Sequence, residues 1–182
     1  MIQKAKSLLL KFIKEKGAIV GDIINVEQFL NHQVEPLLLS AITEAFAEIL
    51  KGTEFTKIIT VESSGIPLAT ALSLKLNKPF LFFKKKKPIT MKDYFEAESY
   101  SFTKQVSTKL YLSKHCIEEG ENVVIVDDFY ANGDTHKAIK SLAEVAGFNI
   151  LKYIVVFNKS DNEEIFSLLN KNLLRDINNE RQ

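Results

Sequence analysis

The chain is expected to fold as an α/β protein, a mostly parallel central sheet flanked by helices, and three observations lead there. Short β-branched runs alternate with helix-like stretches, once as KIITVESSG, IPLATALSLKL and PFLFF, and again as ENVVIVDD, DTHKAIKSLAEVAG and ILKYIVVF. Strand, helix, strand in close succession is the pattern of a parallel βαβ unit, because parallel strands need a crossover that packs on the sheet. The length of 182 residues with 46% hydrophobic content supports one sizeable core, hence a single domain over residues 1–182.

The elements follow in order. Ile2, Ala5, Leu8, Leu9, Phe12 and Ile13 stripe one face of a helix over residues 2–15, which Gly17 ends. The stretch GDIINVEQFLNHQVEP reads as irregular. A second helix runs from Leu37 to Leu50, between Pro36 and Gly52. The first βαβ unit then occupies residues 57–83, and a lysine cluster, Lys84 to Lys87, closes it. Residues 84–112 form a long excursion whose first half lacks a clean period and whose second half, from about Tyr100, alternates as a strand. A long excursion in a compact domain is usually functional. The second unit follows, with its helix starting near Asp134 or Thr135 and ending at Gly147. The final NKNLLRDINNERQ reads as a frayed polar tail.

Charge and cysteine use exclude several classes of function. Lysine and arginine number 24 against 23 acids, a net charge of +1, which gives no general attraction to nucleic acid. The lone Cys116 cannot form an intrachain disulfide, and nothing resembles a signal peptide or a run of ~20 apolar residues, so a cytoplasmic protein without a membrane span is expected. His32, His115 and Cys116 lack partners at metal-ligand spacing, and His136 reads as a surface residue in a first helical turn. The lysine cluster reads mainly as a charged loop that keeps a strand edge soluble.

Chemistry concentrates in VVIVDDFYANGDT, residues 123–135. A buried strand delivers two adjacent acids, Asp127 and Asp128, to its carboxyl end, where open α/β sheets bind ligands. The following loop aims backbone N–H groups at the same place: the amides of Ala131, Asn132, Gly133, Asp134 and Thr135 suit a phosphate, Gly133 permits close approach and the Thr135 hydroxyl adds a donor. Carboxylates beside a phosphate repel it unless they meet another part of the ligand, and vicinal hydroxyls suit them. The fitting ligand is a sugar phosphate. A solvated turn with a helix cap is the plainer alternative, and Ser64 in ESSG reads equally as a cap of the helix after it.

Four hydrophobic residues, the two acids, two more residues and ANGDT resemble the phosphoribosyl diphosphate (PRPP) motif of the type I phosphoribosyltransferases, with Asn132 where a Thr is usual. VESSGIPLA is similar to that family's pyrophosphate loop and SYSF to its flexible loop, and NVEQFLNHQVEPLL, YSFTKQ and FNKS extend the likeness over about residues 1–160. The resemblance implies transfer of a 5-phosphoribosyl group from PRPP, with Mg2+ on the PRPP, to a 6-oxopurine. It points to xanthine first and to hypoxanthine or guanine second. Asp127, Asp128, Tyr100 and Ser101 are then the candidate catalytic residues. Glu62, Ser63, Ser64 and Gly65 would bind the pyrophosphate through a loop with a non-proline cis peptide. Ile24, Asn31 and Lys159 would meet the purine, with residues 17–35 contributing a small hood over the base pocket. No direct protein ligand to a metal, no nucleic-acid partner and a homodimer are expected. A PRPP-sensing regulator of the same fold is the alternative of another class, for which an additional N-terminal DNA-binding module would be expected.

Overall fold

The computed structural model describes residues 1–20, 23–101, 106–131 and 133–174, the side chains of residues 18–20, 99–101, 106 and 108 excepted. Helix α1, Ile2–Lys16, turns Ala5, Leu9 and Ile13 inward, as its apolar stripe requires, and Gly17 caps it. The stretch read as irregular carries local order. Two three-residue strands, β1 (Ala18–Val20) and β2 (Ile23–Asn25), pair antiparallel, and a single π-helical turn over Glu27–Asn31 buries Phe29 and Leu30. Helix α2, Pro36–Ile49, begins on its proline, where the missing N–H has no intrahelical partner to lose.

The central sheet has five strands, all parallel. In chain order these are β3 (Lys57–Val61), β4 (Phe80–Phe83), β7 (Asn122–Tyr130), β8 (Asn149–Asn158) and β9 (Phe166–Asn170), arranged in space as β4-β3-β7-β8-β9. Helix α3, Ile66–Leu76, crosses from β3 to β4, and α4, Asp134–Ala146, from β7 to β8. Asn77 at φ 52 and Gly147 at φ 76 end them in the left-handed conformation that releases a helix into a turn.

Each face of the sheet has its own core. α1, α2 and α3 cover one side, where Leu9, Phe29, Ile42, Leu72, Val124, Val126 and Phe157 are buried together. α4 covers the other with Ile59, Phe83, Val123, Ile125, Ile139, Leu142 and Val155. Burying a Leu, Ile, Val or Phe side chain contributes about 1.5–3 kcal/mol, so these two layers carry the fold.

Three further elements differ from the sequence reading. The excursion is a hairpin of β5 (Tyr94–Ser101) and β6 (Val106–Ser113), so its first strand starts six residues before Tyr100. Ala97, Leu110 and Leu112 bury against the α4 side, and Lys84 bridges to Tyr111, so tertiary packing rather than local period orders this segment. β9 adds a fifth strand beyond residue 160, where the likeness quoted above ends, since Leu168 and Leu169 reach the core. The tail read as frayed has a buried Leu174, and residues 175–182 lie outside the described residues.

Candidate functional site

Parallel strands bring their carboxyl ends to one edge. Val61 pairs with Phe83, Ile59 with Ile125 and Asp127 with Val155, so the loops after β3, β4, β7 and β8 open on the same side of the sheet. The structure thus collects Glu62–Gly65, Lys84 and Lys85, Asp127–Asp128 and Lys159 at one rim, although they are far apart in sequence.

Asp127 and Asp128 are both buried, at 8% and 5% exposure. Adjacent strand residues normally face opposite sides. Here the alternation exchanges: Val124 and Val126 pack on the α1–α3 side and Val123 and Ile125 on the α4 side, yet Phe129 lies with the first group and Tyr130 with the second. The double acid occupies the stretch where the faces switch. Asp127 Oδ1 accepts from the Asp128 amide at 2.9 Å, and Asp128 Oδ1 accepts from the Phe129 amide and from Ser64 Oγ, both at 2.9 Å. Burial, and behind it the charge of Asp128, pushes the Asp127 carboxyl well above the usual carboxylate range, while Lys85 opposes the shift. Such a group gains from a ligand that supplies donors or positive charge.

The loop after β3 is fitted closely to these acids. Its Glu62–Ser63 peptide is cis. Ser64 was read as a possible helix cap, but α3 has no side-chain cap and Ser64 Oγ donates to Asp128 instead. The backbone passes so near β3 and β7 that a Cβ on Gly65 would collide with Thr60 Oγ1 and stand 2.8 Å from Asp127 Oδ1. Thr60 is fully buried and its hydroxyl has no hydrogen-bond partner among the described residues. The Glu62 carboxylate accepts from the Lys85 amide and lies 4.0 Å from Lys84 Nζ. The lysine cluster is therefore tied to this loop at two residues, beyond its role as a charged strand end.

In the loop after β7, Ala131 is exposed, and Asp134 and Thr135 are half-buried in the first turn of α4. Gly133 has φ 76, in the left-handed region that glycine adopts without Cβ strain, and a Cβ there would lie 2.9 Å from the Tyr130 hydroxyl. Asn132 lies outside the described residues. The N-terminus of α4, with its free amides, opens at this loop and favours an anion.

The remaining predicted residues are spread more widely. Lys159 follows β8, is half-buried and donates its amide to the Tyr130 carbonyl at 2.8 Å. Ile24 is half-buried against the α1–α3 core, and Asn31 is exposed at the end of the π-helical turn. Tyr100 and Ser101 close β5, opposite Ser107 and Val106, and their side chains lie outside the described residues.

His136 corrects the expectation of a surface position. It is 9% exposed and packs edge-on to Tyr130 and Tyr153, with ring centroids 5.6 and 5.0 Å away, and among the described residues neither ring nitrogen has a hydrogen-bond partner. Its spacing from Ile139, Ala143 and Ala146 puts it on the inward face of α4, a periodicity that could have found it. Thr60, Tyr130, Tyr153 and Asn162 were also missed; each is a β residue or a loop residue made relevant only by a neighbour distant in sequence.

Comparison with known proteins agrees with this geometry. The family model of the phosphoribosyl transferase domain matches residues 26–168. A xanthine phosphoribosyltransferase of Exiguobacterium sp. is 41% identical over 150 residues, covering 81% of this chain and 78% of the relative. One from Bacillus thuringiensis is 40% identical over 156 residues, covering 85% and 79%. Among solved structures, the Giardia lamblia APRTase complexed with 9-deazaadenine matches with a TM-score of 0.72 at 19% identity, over 88% of this chain and 97% of that one. The adenine phosphoribosyltransferase of Thermoanaerobacter pseudethanolicus gives 0.71 at 23%, over 88% and 99%. At these identities the two structures speak to the fold alone.

Proposed function

The chain belongs to the phosphoribosyl transferase domain family, and from that premise we propose that it transfers the 5-phosphoribosyl group of PRPP to xanthine, releasing pyrophosphate and forming xanthosine 5'-monophosphate in purine salvage. The observation that carries the reading is the buried pair Asp127–Asp128 beside the Gly133 loop, at the rim shared with Glu62–Gly65. Xanthine, rather than adenine, is favoured because the relatives at about 40% identity bear that name, whereas the adenine-named structures share only the fold.

The residues would divide the work as follows. Asp127 and Asp128 meet the ribose hydroxyls. Amides from Ala131 to Thr135 and the α4 N-terminus hold the 5-phosphate, and Glu62–Gly65 presents backbone to the pyrophosphate. As the C–O bond to pyrophosphate breaks and the bond to a purine nitrogen forms, positive charge grows on the sugar carbon, so positioning and electrostatics supply most of the catalysis. Mg2+ carried on PRPP would neutralise the leaving group. The buried acids would face the ribose hydroxyls and the outer shell of that ion: the hydrogen bonds they accept from Ser64, Asp128 and Phe129 all fall on Oδ1. Among the described residues no cluster of three or more His, Cys, Asp or Glu could hold a metal by itself.

Lys159 would donate to the 6-oxo group, and Asn31 and Ile24 would form part of a hood over the base. Tyr100 and Ser101 at the tip of the β5–β6 hairpin would close over the reacting centre and keep water away. The reading includes a single domain, a homodimer and a cytoplasmic setting; among the described residues no helix is long and apolar enough to cross a membrane.

Incubation with PRPP, Mg2+ and xanthine tests the proposal. It requires stoichiometric xanthosine monophosphate and pyrophosphate. Binding of PRPP without turnover of any purine would replace it with the regulator reading.

A further inference from the structure

We infer that Tyr130 is a positioning residue that locks the phosphate loop to the base loop, so that the two halves of the substrate site are set by one side chain. The inference rests on the phosphoribosyl-transfer reading for what the loops bind, and on geometry for the lock itself. Tyr130 ends β7, two residues after the double acid, and is 8% exposed. Its backbone carbonyl accepts the Lys159 amide at 2.8 Å. Its hydroxyl accepts from Asn162 Nδ2 at 3.3 Å and sits 2.9 Å from the position that a Cβ on Gly133 would take. One residue therefore stands against the phosphate loop, close enough to exclude a side chain at Gly133, and holds the loop after β8 at two points.

That second loop is internally braced, so the hold at Tyr130 is transmitted through it. Asn158 Oδ1 accepts from both the amide and the hydroxyl of Ser160, at 2.9 and 2.8 Å. Asn158 Nδ2 donates to the Asn162 carbonyl at 2.9 Å, the Asn162 amide donates to Ser160 Oγ at 3.1 Å, and the Glu164 amide donates to Asn162 Oδ1 at 3.0 Å. Asn158 is itself buried. Lys159 sits inside this frame, so its amine starts from a fixed backbone. On the other side, the Tyr130 ring is fixed edge-on by His136 and Tyr153. A ring so fixed has little room to move, and losing its bond to Asn162 frees the loop after β8 together with the hydroxyl that stands against Gly133.

The lock predicts that a change in the base loop is felt at the phosphate. Asn162→Ala, Tyr130→Phe and the double variant are compared by calorimetric titration with ribose 5-phosphate, by KM and kcat for xanthine, and by thermal melting. Loss of the Tyr130–Asn162 hydrogen bond should weaken ribose 5-phosphate binding by roughly three- to ten-fold in either single variant, Asn162→Ala giving up the bond from the Glu164 amide as well. The double variant should be no weaker than the worse single one, since both remove the same contact. The xanthine KM should rise in the same variants with kcat less affected. Unchanged ribose 5-phosphate affinity in Asn162→Ala, or additive losses in the double variant, would overturn the lock. A lowered melting temperature with unaltered affinities would reduce Tyr130 to a packing residue and also overturn it. Failure of the wild type to bind ribose 5-phosphate at all would instead count against the phosphoribosyl-transfer reading.

Discussion

Gly65→Ala is the smallest change that should break the site while leaving its chemistry in place. The new methyl would collide with Thr60 Oγ1 and stand 2.8 Å from Asp127 Oδ1, 0.6 Å short of the 3.4 Å at which ordinary contact begins. Backbone strain is not involved, because Gly65 has φ −75, open to any residue. Both neighbours are buried on central strands, so neither can swing away. Overpacking of this kind costs about 1–3 kcal/mol, read as roughly 2–4 °C of melting temperature per kcal/mol for a chain of this size. Thr60→Ala removes the worst contact, and it also deletes a buried hydroxyl that has no hydrogen-bond partner among the described residues, so its own cost should be small. In a double-mutant cycle Gly65→Ala should therefore cost about 0.5–3 kcal/mol less on the Thr60→Ala background. Turnover should not recover with stability, since the contact with Asp127 remains. Melting and PRPP turnover of all four proteins decide it. Additive melting effects, or full activity in Gly65→Ala, would refute the close approach of the pyrophosphate loop to β3 and β7.

Two further outcomes follow from burial of ionisable groups. The Asp127 carboxyl is raised above the value of about 3.9 of an unfolded chain, so the fold favours its neutral form, a contribution complete below that value and lost as pH rises through the raised one. Asp127→Asn should then melt higher than wild type at pH 7, converge with it toward pH 4, and lose most turnover; a lower melting point at pH 7 would contradict the placement. His136 shifts oppositely: burial, with Lys140 adding and Glu164 opposing, lowers its pKa, so its stabilising neutral form holds above about pH 6.5 and is lost as pH falls through the lowered value. His136→Leu should flatten the decline of stability between pH 7 and pH 5, and an unchanged slope would return His136 to the surface.

Much of this site could be read from residues that do two jobs at once. The run ENVVIVDD announces itself because a buried strand rarely ends in paired acids, and Gly133 because a loop into a helix rarely needs φ 76 without a close approach. The helices were legible wherever an apolar stripe met a glycine or proline boundary, as at Gly17, Pro36 and Gly147. What escaped is held by partners remote in the chain. β9 is five residues at a sheet edge, too short to show a period, and exists because β8 offers it a ladder. β5 is ordered by α4, which packs against it, and by its pairing with β6. Ser64 has the chemistry of a helix cap, and only the return of Asp128 through the fold redirects it. Tyr130 and Asn162 show no local sign of their contact, which spans 32 residues.

The most direct test of the central claim is a competition for limiting PRPP among equal concentrations of xanthine, guanine, hypoxanthine and adenine, with the product nucleotides separated and counted. Their ratio equals the ratio of kcat/KM values, free of differences in enzyme concentration. The account predicts that xanthosine monophosphate predominates and adenosine monophosphate is least. It also predicts that the xanthine lead shrinks in Lys159→Ala and Asn31→Ala, whose lost polar partners would otherwise reject bases without the matching groups. Predominance of the adenine product, or losses equal for every base in both variants, would contradict it.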